Sequence, residues 1–302
     1  MNTIAKANKP LAGKKVPAKP GNNKWNQERR LEFIDYRLCW SGHINRSDLV
    51  EFFGISIPQS SLDLAKYTEM APHNLEYDRH FKVYVKTPKY KPLYPICSAT
   101  SYLNDLYMNA QGIIHDTSNY LLQVPSVACF APPRRIVNHE VLSNIVYCIL
   151  NKSALKISYQ SMSSLEVSTR LISPHALGFD GIRWHVRAYC HEKKDFRDFV
   201  LSRILSVGKI ERSDIDPNED MRWNFVVSLH IIPNPNLSES QRKAIELDYG
   251  MENGEVVYKC RQALLFYTLR TLRLGPDDES ADPENQQIVL KNKNEIYLLL
   301  NM

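Results

Sequence analysis

The sequence predicts an α+β chain in three folded parts, and three observations carry that prediction. At 302 residues the chain is long for one ordinary domain. The period of its apolar residues changes along the chain, from helical spacing near the N-terminus, through two-residue alternation between positions 155 and 204, to a strand–helix–strand–helix succession after 225. A hydrophobic fraction of 43 % and a charged fraction of 24 % are those of a folded, water-exposed protein.

Composition narrows the setting. No apolar run approaches the roughly 20 residues needed to cross a bilayer, and the first residues lack the apolar stretch of a secretory leader. A cytoplasmic chain with no membrane partner is therefore expected. Cys39, Cys97, Cys129, Cys148, Cys190 and Cys260 are scattered, with no C-x-x-C pair and no His at finger spacing. Reduced thiols are expected, with no structural metal and no cofactor. Residues 1–24 hold six lysines and no acid, so +6 of charge lies there against a chain total of +5. This segment is expected to be a disordered basic tail. It either adds nonspecific attraction to nucleic acid or is simply solvated.

The first folded part is expected over residues 25–93. Leu31, Ile34 and Leu38 recur at helical spacing until Trp40-Ser-Gly42-His breaks it. Asn45 is a suitable N-cap for a second helix, Arg46 to Phe53. Gly54-Ile-Ser56 then makes a tight turn, and Ser56 can cap a third helix with Pro58 in its first turn. In that helix Leu62 and Ala65 are expected to face inward, with Gln59, Ser60, Asp63 and Lys66 outward. Two helices joined by a short Gly turn, the second with a polar outer face, follow the pattern of a helix-turn-helix. Residues 75–85 alternate like a hairpin with Asp78 to His80 near its tip, as a DNA-contacting wing would. The candidate DNA-binding residues are Arg46, Ser56, Gln59, Ser60, Asp63, Lys66, Arg79 and Lys82. Gln and Ser can read base edges, while Arg and Lys meet phosphates. The same pattern also fits a plain helical packing domain carrying a surface hairpin.

Residues 94–137 are expected to form a connector, with a short helix around Tyr102 to Met108 and a Pro-rich crossing at Pro132-Pro133-Arg134-Arg135. A small, strongly bent sheet beside one helix is expected over 138–215. Its helix runs from His139 to Leu150, and strands follow at Leu155 to Ser161 and Ser168 to Ser173. Residues 222–302 should form a further α/β unit. Its strands are placed at Phe225 to Ile231 and Glu255 to Cys260, its helices at Ser238 to Leu247 and Ala263 to Leu274. A closing hairpin is expected from Ile288–Leu290 and Ile296–Leu299. An exposed element here would serve dimerisation, although core packing explains its apolar residues equally well.

The stretch from Gly178 to Ile204 places arginines repeatedly among apolar residues. Alternation sets Trp184, Val186 and Ala188 on one face and His185, Arg187 and Tyr189 on the other, and Arg197, Phe199, Leu201 and Arg203 on a shared face. An arginine directed into a small sheet requires an anion or a carboxylate partner, because a buried unpaired charge is costly.

Several motifs carry a family likeness: Ile157-Ser-Tyr159-Gln-Ser161, Arg170-Leu-Ile-Ser-Pro174-His175, Gly181-x-x-Trp184, and Asp195-Phe-Arg197 leading to Leu201-Ser-Arg203-Ile204. Through them the chain resembles the WYL-domain transcriptional regulators over residues 25 to 302. The family's Trp-Tyr-Leu triplet stands here as Trp184-His185-Val186. The run Arg30 to Arg37 and the run Pro58 to Leu64 look closest to the branch encoded beside BREX and CBASS anti-phage systems. The resemblance implies a winged helix-turn-helix, a central Sm-like WYL sheet and a C-terminal dimerisation unit. It implies a homodimer that binds an inverted repeat in double-stranded DNA and represses a phage-defence operon. It further implies a pocket for a nucleotide or nucleic-acid ligand, involving Tyr159, Ser161, His175, Arg187 and Arg203; these residues would suit a phosphate, or else only hydrogen-bond within the sheet.

No catalytic residue is assigned. The sequence holds no clustered acids for Mg²⁺, no G-x-S-x-G and no phosphate-cradling glycine loop. The rival to a repressor is an RNA- or single-strand-binding accessory protein without operator specificity.

Overall fold

The computed structural model describes residues 22–113, 120–121, 124–130, 133, 135–162, 165–278 and 282–300. Of the expected tail, residues 1–21 lie outside the described residues and Asn22 to Lys24 stand in the first helix; Pro132 and Arg134 of the Pro-rich crossing also lie outside the described residues. The chain divides into two compact units, one ending at residue 131 and one beginning at residue 132.

In the first unit, helix α1 (Asn22–Ser41) ends before Gly42, whose φ of +76° turns the chain into a short strand β1 (His43–Ile44). Helix α2 (Arg46–Phe53) starts in a capping box between Asn45 and Asp48 and stops at Gly54, which sits in the left-handed region. Helix α3 (Ile57–Met70) begins at Ser56, whose hydroxyl accepts from the Gln59 N–H. Phe33, Ile34, Leu38, Leu49, Leu64 and Tyr67 form the core between these helices, with Phe52 stacked on Phe33 at 4.6 Å. Strands β2 (Leu75–Asp78) and β3 (Val83–Lys86) form the hairpin, and β1 joins β3 to complete a three-stranded sheet in the order β1-β3-β2. Helix α4 (Ala99–Ala110) follows, and its Tyr102 stacks on Trp40 at 4.2 Å.

In the second unit, helix α5 (His139–Leu150) packs Val141, Ile145 and Cys148 onto a five-stranded antiparallel sheet. Its strands are β4 (Ser153–Tyr159), β5 (Ser168–Phe179), β6 (Trp184–Cys190), β7 (Asp195–Val200) and β8 (Ile204–Arg212), in the order β7-β6-β5-β4-β8. Two expectations are corrected here. Strand β5 does not stop at Pro174 but crosses a bulge between Pro174 and Ala176, which bends the sheet and lets pairing continue to Phe179. Residues 195–204 are not one strand: a 3₁₀ turn at Leu201–Arg203 separates β7 from β8, so Arg197 and Arg203 do not share a strand face.

A one-turn helix α6 (Met221–Asn224), capped by Asp220, leads into strand β9 (Val226–Pro233). Helix α7 (Glu239–Tyr249) is enclosed by a Ser238–Gln241 capping box and Gly250 at φ +57°. Strand β10 (Val256–Arg261), helix α8 (Leu265–Leu272) and strand β11 (Ile288–Leu290) follow, with sheet order β10-β9-β11. The closing segment is a helix, α9 (Lys293–Leu300), and not the second arm of a hairpin. Ile296 is fully buried and Tyr297, Leu299 and Leu300 pack beside it, so the apolar run satisfies a helical face.

Candidate nucleic-acid interface and cation cluster

Helix α3 is held from within by two buried acids. Arg30 on α1 donates to both carboxylate oxygens of Asp63, at 2.6 and 3.2 Å, and Gln59 donates to the same group at 3.1 Å. Asp35, fully buried, accepts from the hydroxyls of Tyr67 and Tyr90 and from the backbone N–H groups of Leu93 and Tyr94 at 2.8 and 3.0 Å. Both motif runs of the sequence thus meet here: Arg30 and Asp35 come from one, Asp63 from the other.

This arrangement corrects the expected phase of α3. Ser60 and Asp63 are fully buried, while Leu62 and Ala65 are exposed. The Ser60 hydroxyl donates to the Ile57 carbonyl, so neither Ser60 nor Asp63 faces outward to a base. Polarity misled the assignment: the Arg30 guanidinium stabilises an inward Asp63, and Leu64 and Tyr67 supply the inward apolar side. Gln59 is half-buried at the margin, and the Ser56 hydroxyl is engaged in capping.

The remaining candidates are exposed on α2, α3 and the hairpin. Arg46, at the start of α2, donates to the Tyr84 hydroxyl of the hairpin at 3.4 Å. Lys66 is exposed and pairs with Glu69 at 2.9 Å. Asp78 accepts from the backbone of His80 and Phe81, closing the hairpin turn that exposes Arg79 and Lys82.

In the second unit the sheet's cations meet carboxylates of the chain itself. Arg187 is only 4 % exposed and donates to both oxygens of Asp220, at 2.7 and 2.9 Å, and to Asp198 at 3.3 Å. His175 Nε2 lies 2.9 Å from the same Asp220. Burial works against the charged guanidinium, but Asp220 and Asp198 outweigh it and hold the Arg187 pKa above its ordinary value. Burial likewise opposes ionisation of Asp220, yet His175 and Arg187 keep its carboxyl well below the usual range. Asp198 behaves oppositely: burial raises it, and Arg187 only partly offsets that. Of the two partners the sequence allows an inward arginine, an anion or a carboxylate, Arg187 has carboxylates of the chain itself, and His175 shares one of them.

The other ligand candidates lie where the end of β4 meets the start of β8. The Tyr159 hydroxyl accepts from the Val200 N–H at 3.2 Å, and the Gln160 N–H donates to the Arg203 carbonyl at 3.0 Å. Ser161 is half-buried, its carbonyl accepting from the Gln160 side chain. His185 sits 2.8 Å from Asp180, which also accepts from the backbone of Ile182 and Arg183 and from the Arg183 side chain. Burial opposes that carboxylate, but these donors pull its pKa down to about 2.

Sequence reading missed Asp220, Asp198 and Tyr267, whose ring packs 4.7 Å from His185. Asp220 falls between the two assigned domains, where only its cap of Trp223 N–H offered a signal. A crevice of about 250 Å³ adjoins the cluster, lined among others by Arg187, Asp198, Arg222, Gln262, Phe266 and Tyr267.

A winged helix, a WYL sheet and a C-terminal α/β unit on one chain define the class of WYL-domain transcriptional regulators. Three family models agree: the BrxR transcriptional regulator winged helix-turn-helix domain over residues 26–108, the WYL domain over 140–208, and the BrxR C-terminal dimerization domain over 226–296. The chain belongs to the BrxR family of transcriptional regulators. It is 46 % identical over 278 residues, 92 % of this chain and 93 % of the relative, to the DNA-binding transcriptional repressor CapW of Escherichia coli (strain KTE188). The proteins of the same name from Pseudomonas aeruginosa and Stenotrophomonas maltophilia are 44 % and 41 % identical, over 92 % and 90 % of this chain and 93 % and 92 % of theirs. Among the described residues no helix is long and apolar enough to cross a membrane.

Proposed function

We propose that this protein is a homodimeric transcriptional repressor that binds an inverted repeat beside a phage-defence operon and releases or tightens it on binding a phosphate-bearing ligand. The observation that carries the reading is α3: a capped helix, fixed by buried Arg30–Asp63 and Asp35 contacts, in a unit that also exposes Arg46, Lys66, Arg79 and Lys82. The helix and these exposed cations together suit a major groove bordered by phosphates. The relatives named repressors support the same direction, and the matched dimerization domain supports two copies on one two-fold site.

Ligand response rests on the crevice beside Arg187. Arg222, Gln262 and Tyr267 are its phosphate- and base-compatible groups, and its walls come from both the WYL sheet and the C-terminal unit. A ligand there would bias how those two parts pack, which is the requirement for coupling to DNA.

Binding of the full chain to its own upstream duplex and to a scrambled duplex, at several salt concentrations, tests the proposal. Two protomers per duplex with preference for the native sequence near physiological salt is the expected result. Equal binding to both that vanishes as salt rises would reduce the interaction to lysine electrostatics and favour the single-strand or RNA reading.

A further inference from the structure

In the first two turns of α3 each polar side chain already makes a hydrogen bond within the chain, which leaves fewer of their groups to read bases. Ser56 is committed to the Gln59 N–H, Gln59 to Asp63, and the hydroxyls of Ser60 and Ser61 both donate to the Ile57 carbonyl. What stands outward instead is apolar. Ile57 is 62 % exposed and Leu62 63 %, and Pro58 and Ala65 are exposed beside them. At 100° per residue, Pro58, Leu62 and Ala65 fall on one side of the helix, with Ser61 and Lys66 at its margins.

An exposed apolar strip costs solubility unless something covers it. Lys66 borders the strip on its own helix, and Arg46 is exposed at the start of α2. Its occupant must therefore present apolar groups within an anionic frame. In the major groove the apolar feature is the C5-methyl of thymine, and the frame is the phosphate backbone. Accepting the operator-binding reading above, on which this inference rests, we propose that the chain selects its site chiefly through thymine methyl groups packed against Leu62, with Pro58 and Ala65 alongside. Leu62 is then a specificity-determining residue. Arg46 and Lys66 set the register without reading sequence.

The test uses three duplexes of equal length: the native upstream site, the same site with every thymine replaced by uracil, and a scrambled sequence. Uracil keeps every hydrogen-bonding group and charge of thymine and lacks only the methyl. Binding of the full chain and of Leu62→Ala is measured by fluorescence anisotropy at physiological salt. For the unmodified protein, each contacted methyl lost should weaken binding about fourfold, so one per half-site of a two-fold operator gives about fifteenfold. Leu62→Ala should bind the native site more weakly and show a thymine-to-uracil ratio near one. Preference for native over scrambled DNA with equal affinity for the uracil duplex would overturn the inference and leave the repressor reading intact. A thymine preference that survives Leu62→Ala would overturn the role of Leu62. Absence of any preference for native over scrambled DNA would overturn both readings together. The uracil comparison needs only the unmodified protein, so its outcome does not depend on how a variant folds.

Discussion

Asp35 in the first unit and Asp220 in the second are both almost wholly buried, at 0 % and 1 % exposure, yet different chemistry satisfies them. Asp35 is surrounded by neutral donors: two tyrosine hydroxyls, two backbone N–H groups and the Cys97 thiol. Asp220 is met by a bidentate arginine and a histidine. The first arrangement ties α1, α3 and the segment after the hairpin into one rigid body, since several neutral donors hold a carboxylate without another buried charge. The second neutralises a cation that the WYL sheet directs inward, and anchors the start of the C-terminal unit to that sheet. A buried acid therefore serves as a scaffold pin in one unit and as a counter-ion in the other.

Removing the counter-ion should cost most. Asp220→Ala leaves Arg187 buried with Asp198 alone and His175 without its partner, so unfolding of the second unit should become easier by about 3–5 kcal/mol. Urea titration followed by Trp184 and Trp223 fluorescence measures this; a loss below about 1 kcal/mol would mean the two acids do not differ as described. Asp35→Asn comes next, because an amide has one oxygen where the carboxylate has two: its NH₂ either faces the Leu93 and Tyr94 N–H groups, which cannot accept, or takes the acceptor away from the Tyr67 and Tyr90 hydroxyls. A loss of about 3 kcal/mol is expected in the first unit, read from Trp40, which stacks on Tyr102. An effect equal to that of Asp220→Ala would erase the distinction.

A double-mutant cycle with Arg30→Ala and Asp63→Ala should yield a coupling of about 2 kcal/mol, since the pair is bidentate and nearly enclosed. Additive losses would show that Arg30 contributes only packing. Acid provides a gentler probe of the second unit. Asp180 titrates near 2 and Asp220 is also depressed, against about 3.9 for an unfolded Asp. Folded-state pKa values below the unfolded one give stability that is complete above about pH 4 and fades as pH falls through the folded values. Tm measured from pH 5 to 2 should drop less steeply in Asp180→Asn than in the unmodified protein; parallel curves would exclude Asp180 as a source of the decline. The smallest effect is expected at Gly54→Ala, about 1 kcal/mol, arising from the left-handed backbone at φ +64° because an added Cβ meets nothing within 4 Å. This variant is a measure of backbone strain apart from either acid.

Local signals were readable wherever one residue type has one favoured use. Asn45, Gly54, Ser56, Pro58 and Ser238 marked helix ends because caps and left-handed turns accept few residues. Alternation located the sheet strands for a similar reason. The misplaced residues are those with two uses. Asp63 and Ser60 looked like a reading face because polar residues are usually outward, and only the Arg30 side chain 33 positions away makes Asp63 an inward group. Asp220 looked like linker because its partners are 33 and 45 residues distant. The run Ile296 to Leu299 was ambiguous between strand and helix, as short apolar runs are.

The sequence by itself determined the order of the folded parts, the helix ends, the position of the hairpin and the family, because these follow from local backbone preference and hydrophobic period. Tertiary structure alone decided which face of α3 meets solvent and which carboxylate neutralises Arg187. Both outcomes depend on the pairing of charges brought together from distant positions, and a charge enters the interior only where its partner is already waiting.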